Sequence, residues 1–170
     1  MDSFDEIYNE HEKRVFNIAL HYVRNISDAE EITQDVFLKV FKKLNKFNKK
    51  ATLSTWVHRI TINCSIDFLR KQKANKRSFL VMTGDDSVLL ANSDFIHPGI
   101  QLEEREALIG VMKIINELPN EQKTAVILNK IEGLSQLETA KIMKKSEKSV
   151  ESLIGRARKK IKEKLQTREG

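Results

Sequence analysis

An all-α fold, two small helical domains joined by a flexible linker, is what this sequence predicts, and three observations carry it. Apolar residues recur at intervals of three and four along most of the chain, the period of a helix buried on one face. Only 6 Gly and 2 Pro interrupt 170 residues. One stretch, 78–101, has no sustained period and collects Gly84, Asp85, Asp86, Ser87, Asn92, Ser93, Asp94, Pro98 and Gly99. It reads as an acidic, mobile linker between domains at 1–77 and 102–170.

The first helix is opened by Ser3-x-x-Glu6, a capping box, and its apolar face is Phe4, Ile7, Tyr8, Val15, Ile18, Ala19 and Tyr22. His11 shares that face and is expected in the core. Ser27-x-x-Glu30 predicts a second capping box, ahead of Ile32, Val36, Phe37, Val40, Phe41 and Leu44. The other face carries Asp28, Glu31, Gln34 and Asp35, then Lys39, Lys42 and Lys43, an order that suits the helix dipole. Asn45–Thr52 breaks the period as a short polar loop.

A long helix follows over Leu53–Arg77. Its stripe is Leu53, Trp56, Val57, Ile60, Cys64, Phe68 and Leu69, with Ser54 or Thr55 available as cap. Arg59, Asn63, Asp67 and Arg70 edge the stripe, and Lys71, Lys73, Lys76 and Arg77 make a cationic tail. Read alone, this is an amphipathic helix with a basic end.

Beyond the linker, Leu102–Leu118 carries Leu108, Ile109, Met112 and Ile115. Pro119 ends it, and Asn120 is the expected cap of a helix with Val126, Ile127 and Ile131. Gly133 suits a left-handed stop. Ser135-x-x-Glu138 opens a short helix with Leu137, Ala140, Ile142 and Met143. Lys144-Lys145 makes the turn, and Ser146 caps a last helix through Val150, Leu153, Ile154, Ala157, Ile161 and Leu165. The spacing is that of a helix-turn-helix, whose second helix enters the major groove. Ser146, Glu147, Lys148, Ser149 and Ser152 are the candidates for base edges; Arg156, Arg158, Lys159, Lys160 and Lys162 would lie along phosphates. The alternative is an ordinary helical hairpin with a basic tail.

Charge sharpens the choice. The net charge is +6, but residues 39–80 hold 12 Lys/Arg against 1 Asp/Glu, and 141–170 hold 11 against 4. Residues 1–38 are acidic, with 9 Asp/Glu against 3 Lys/Arg. Two basic blocks, each ending an amphipathic helix, point to two contacts on a polyanion. Cys64 is the only cysteine, which rules out a disulfide within the chain and a Cys-based zinc site, and its place in the stripe predicts a buried thiol. No nucleophile, metal or cofactor constellation appears, so the sequence predicts no enzyme. The acidic N-terminus is not a signal peptide, and no run approaches the ~18 apolar residues of a membrane span. A cytoplasmic protein without membrane insertion is expected.

Ser54-Thr55-Trp56-Val57-x-Arg59-Ile60-x-x-Asn63-x-x-x-Asp67-x-x-Arg70 resembles the promoter-melting helix of bacterial extracytoplasmic-function sigma factors. Asp28-Ala29-Glu30-Glu31-Ile32-Thr33-Gln34-Asp35-Val36-Phe37 resembles the segment of that family that docks on RNA polymerase. Leu118-Pro119 to Arg158 is similar to its upstream-promoter-reading domain, through Gly133-Leu134-Ser135, Glu138, Ala140, Ser146, Val150, Ser152, Arg156, Ala157 and Arg158. The resemblance implies a sigma factor: a chain, monomeric when free, that binds core RNA polymerase and directs it to a subset of promoters. It implies polymerase contacts at Asp28, Glu31, Gln34 and Asp35. It implies capture of an unpaired downstream base by the loop and long helix, through Asn48, Lys49, Lys50, Thr52, Trp56, Arg59 and Asn63, with Arg70, Lys71 and Lys73 on the strand. Trp56 is also a core candidate. Upstream duplex would meet Ser146, Lys148, Ser149, Ser152, Arg156, Arg158 and Lys159. An anti-sigma protein is a further implied partner. Lys144 departs from a turn position where the family often has Gly. Glu151 and Leu153 stand where it often has Lys and Arg, so backbone contacts there are doubtful. A stand-alone helix-turn-helix regulator is the competing class, but the chain shows no dimer helix and carries a second basic module that a regulator does not need.

Overall fold

The computed structural model describes residues 3–76 and 102–169, and among the described residues every regular element is helical. Contacts divide the chain into two compact units, Met1–Asp85 and Asp86–Gly170. The expected linker at 78–101 lies outside the described residues.

The first unit packs three helices, α1 (Phe4–Val23), α2 (Ile26–Lys43) and α3 (Leu53–Lys76), each against the other two. The capping box of α1 is formed: Glu6 N–H donates to Ser3 Oγ at 3.2 Å, and Ser3 N–H to Glu6 Oε2 at 2.7 Å. Ile7, Val15, Ile18, Ala19 and Tyr22 of α1 and Ala29, Ile32, Val36 and Val40 of α2 are buried, and the two helices pack together. Each Ile and Val side chain so buried contributes about 1.5–3 kcal/mol. The second expected box is not used. Asn25, extended at φ −145° and ψ 129°, caps α2 instead, its Oδ1 accepting from Asp28 N–H at 3.0 Å. Arg24 turns left-handed just before it (φ 57°), so the chain reverses two residues earlier than Ser27 would allow.

α3 departs most from its predicted stripe. Neither Ser54 nor Thr55 caps it; Thr52 does, with Oγ1 accepting from Thr55 N–H at 3.2 Å. Of the seven stripe residues only Val57 and Cys64 are buried. The sheltered face also holds Thr55, His58, Thr61, Ile62 and Ser65. Thr61 and Ser65 donate their hydroxyls to carbonyls one turn back, on Val57 (3.0 Å) and Thr61 (2.8 Å). Hydroxyls bonded within the helix offset much of the cost of leaving water, which lets these residues pack in the sheltered face.

His11 is buried as expected, with the His58 ring 6.5 Å away, edge to face. Burial disfavours the imidazolium and lowers the His11 pKa below its ordinary value. The unfolded chain therefore takes up the proton first. The first unit should keep its full stability above about pH 6.5 and lose it as pH falls towards the lowered folded value. Urea midpoints between neutral and mildly acid pH should show this fall, and His11→Gln should flatten it; an unchanged pH slope would assign the effect to other groups.

The second unit comprises α4 (Leu102–Asn116), α5 (Asn120–Val126), α6 (Gln136–Met143) and α7 (Glu147–Glu169). Asn120 does not cap α5. It is already the first helical residue, and Pro119 holds the cap position without a side-chain bond. α5 runs on through a wider turn, Ile127–Ile131, in which Glu132 N–H reaches back five residues to the Ile127 carbonyl at 2.8 Å. Ile127, Leu128 and Ile131 of this turn are all buried. Gly133 then stops the helix at φ 68°. The box Ser135–Glu138 opens α6 as predicted, but Leu137 is 47% exposed rather than core.

Lys144 ends α6 left-handed at φ 55°, with its N–H on the Lys141 carbonyl and that of Lys145 on the Ala140 carbonyl. This is the geometry Gly usually supplies, and a side chain there costs about 1–2 kcal/mol. Ser146 caps α7, accepting from Ser149 N–H at 3.1 Å. Ala125, Ala140, Val150, Leu153 and Ile154 form one buried cluster that fixes α7 against α5 and α6.

Candidate nucleic-acid interface

On α7 the base-edge candidates are organised by their own hydrogen bonds. Ser146 Oγ donates to Ser149 Oγ at 3.0 Å while accepting the capping bond. Ser152 Oγ accepts from Arg156 Nη2 at 3.0 Å. Ser146, Lys148, Ser149, Ser152 and Arg156 line one open cleft of about 380 Å³. Arg158 and Lys159 are exposed but do not line it; Arg158 follows Arg156 by about 200° round the helix. Leu153 belongs to the buried cluster, so that position serves packing, while Glu151 is exposed.

In the first unit the loop before α3 is built, not slack. Asn48 Oδ1 accepts from Lys50 N–H at 3.3 Å across Lys49, which is left-handed at φ 57°. The Phe47 and Trp56 rings pack at 5.1 Å, tilted by 37°, and Trp56 is half-buried, between its two expected roles. Asn48, Lys49, Lys50 and Thr52 are exposed. Trp56, Arg59, Asn63 and Arg70 are spaced three, four and seven apart and share one face of α3. Asp67 lies on that face and pairs with Arg70 at 3.2 Å. Lys71 and Lys73 are exposed beyond it. His58, between Trp56 and Arg59 in the chain, is buried and is not part of that face.

The acidic face of α2 divides. Glu31, Gln34 and Asp35 are exposed, but Asp28 is half-buried and accepts from Gln72 Nε2 of α3 at 3.3 Å. Beside them Leu38 is 56% exposed, and Phe41, expected in the core, is 63% exposed, its ring edge-to-face with Phe4 at 5.3 Å. Sequence reasoning missed Leu38; its signal was its place four residues after Gln34, off the apolar stripe. Lys39, an exposed residue, donates from Nζ to Cys64 Sγ at 3.2 Å. Burial raises the Cys64 pKa, and the bond to Cys64 raises that of Lys39, so the pair stays thiol and ammonium. Among the described residues no cluster of His, Cys, Asp and Glu is placed to hold a metal, and no helix is long and apolar enough to cross a membrane.

The family profile described as Sigma-70 region 2 matches residues 7–75, and that described as Sigma-70, region 4 matches residues 108–161. The chain is 29% identical over 156 residues to "ECF RNA polymerase sigma factor SigM" of Mycobacterium tuberculosis, covering 92% of this chain and 74% of that one. It is 24% identical over 167 residues to "ECF RNA polymerase sigma factor SigW" of Bacillus subtilis, covering 96% and 89%. Its fold is like that of the sigma factor RpoE solved with the anti-sigma factor NepR from Bartonella quintana, with a TM-score of 0.70, 24% identity and 96% of each chain covered. It is also like CnrH solved with the cytosolic domain of CnrY, with a TM-score of 0.68, 23% identity and 96% and 88% covered.

Proposed function

The chain belongs to the extracytoplasmic-function sigma factors of the sigma-70 family, and from that membership we infer how its two units divide the work of starting transcription. As a sigma factor it binds core RNA polymerase and directs promoter-specific initiation. Sigma factors are transcription regulators rather than enzymes, and this chain, on our reading, leaves all chemistry and metal binding to the polymerase. The observation that carries the reading is the pairing of a region 2 match with a region 4 match, in that order, each over a unit with its own exposed basic face.

The working domains are 1–77, 78–101 and 102–170. The first docks on polymerase through α2 and opens and reads the downstream element as single strand; the last reads the upstream element as duplex. Leu38 joins Glu31, Gln34 and Asp35 on the docking face, because an interface needs an apolar contact among its polar ones. The protein works in the cytoplasm, where its polymerase is, as a monomer when free. An anti-sigma protein is a proposed partner on the strength of the family resemblance. Overexpression should induce a set of transcripts sharing one upstream element, and purified chain with core polymerase should initiate at those promoters. Initiation by core polymerase alone at the same sites would overturn the assignment.

Within α7, exposed Arg156, Arg158 and Lys159 contact phosphates, which position the helix without specifying sequence. Removing one should weaken binding to all duplexes and reduce the slope of log affinity against log salt by about 0.9. Ser149→Ala or Ser152→Ala should instead change preference among upstream elements. Filter binding over a salt series on two promoters separates the roles, and the reverse pattern would exchange them.

A further inference from the structure

The cationic cleft at the start of α7 contains an acid. Glu121, in the first turn of α5, reaches its wall and pairs with Lys145 at 2.8 Å. The backbone of Lys145 is fixed by its N–H on the Ala140 carbonyl at 3.0 Å, and its ammonium is drawn towards α5 by the carboxylate. Lys148 and Arg156 border the same cleft, and Arg156 is steered along α7 by Ser152.

We propose that Glu121 is a brake on sequence-independent DNA binding by the C-terminal unit: it holds Lys145 off the phosphates and sets a negative charge beside their path. The brake presupposes that α7 is the helix that meets duplex DNA. Affinity that ignores sequence grows with the number of phosphates neutralised, so a cleft in which every cation is available binds any duplex. Pairing Lys145 with Glu121 takes one cation out of that number. It also leaves a carboxylate where an approaching phosphate meets repulsion, and such repulsion is a means of refusing wrong partners. The pair lies at the surface, with Glu121 more exposed than Lys145. It is therefore weak as a structural bond, and both residues can be changed without loss of the fold. A sigma subunit that binds arbitrary duplex weakly leaves the choice of site to the complete polymerase complex, in which upstream and downstream contacts act together.

The test is a salt series on the complex of core polymerase with the full chain, using duplex that lacks a promoter. The core enzyme is common to every arm, so differences belong to this chain. Glu121→Gln keeps the side chain's size and removes its charge. It should steepen the slope of log affinity against log salt by about 0.9, the size of one added phosphate contact. If the variants converge near ~1 M salt, binding near ~0.1 M should tighten by about eightfold. Lys145→Gln in the otherwise natural chain should change the slope little, because that cation is already held. Glu121→Gln with Lys145→Gln should return to the original slope. Weaker binding or an unchanged slope in Glu121→Gln, while Arg156→Ala lowers the slope, overturns the brake and leaves α7 as the DNA helix. An unchanged slope in Arg156→Ala as well overturns the brake together with that reading of α7.

Discussion

Replacing residues 48–51 with Gly and Ser, while keeping Phe47 and Thr52, should abolish promoter melting and leave polymerase binding and upstream-element binding intact. Extruding a base from duplex costs a few kcal/mol, and one stacking contact returns about 1–3 kcal/mol, so one ring does not suffice and the loop must add to it. The proposed role matches the groups the loop presents. The Asn48 side chain closes a turn on Lys50 N–H, Lys49 sits left-handed at φ 57°, and both lysines are exposed, in the loop that joins the tilted Phe47–Trp56 ring pair. Thr52 is kept because its hydroxyl caps α3, and losing a cap costs about 1 kcal/mol of stability unrelated to DNA. Loss of about 3 kcal/mol of base capture corresponds to a drop of more than about 100-fold in open complex. Permanganate reactivity of unpaired thymines measures it directly. A template with the downstream element already unpaired should recover part of the activity, because it no longer requires the extrusion. Normal melting by the variant would move base capture from the loop to the α3 face of Trp56, Arg59 and Asn63.

Local chemistry was legible in this sequence and tertiary chemistry was not. The boxes at Ser3 and Ser135, the cap at Ser146 and the stop at Gly133 each act within four residues, and each was readable. The cap of α2 misled because Ser27-x-x-Glu30 carries the same letters, while the left-handed Arg24 that hands the role to Asn25 has no sequence signature. The wider turn at Ile127–Ile131 has none either. The buried face of α3 was hidden by its own composition. Thr61, Ser65 and His58 look like solvent residues until the hydroxyl bonds and the His11 ring are seen. Exposure of Leu38 and Phe41 depends on where α1 and α3 lie, and the contacts of Lys39 with Cys64 and of Gln72 with Asp28 join residues 25 and 44 apart in the chain. In the candidate surfaces, residue types could be read from the sequence. Which of them share a face, and which are committed to the fold, could not.

That distinction sets the form of the docking experiment. Gln34→Ala with Asp35→Ala should weaken co-purification with core polymerase by about thirtyfold, the effect of about 2 kcal/mol at an interface centre. Both residues are exposed, so helical circular dichroism and the urea midpoint should not move. Asp28→Ala is the contrasting variant. Its carboxylate accepts from Gln72 of α3, so its loss should lower the stability of the first unit whatever it does to polymerase. Leu38→Ala separates the two physical sources of binding on the same face. Salt screens exposed charges, so affinity carried by Glu31 and Asp35 should fall as salt rises, whereas affinity carried by Leu38 should not. If the double variant binds polymerase normally at low salt while Leu38→Ala does not, the apolar residue is the anchor and the acidic face steers the encounter. If all three variants bind normally, polymerase docks on a different surface of the first unit.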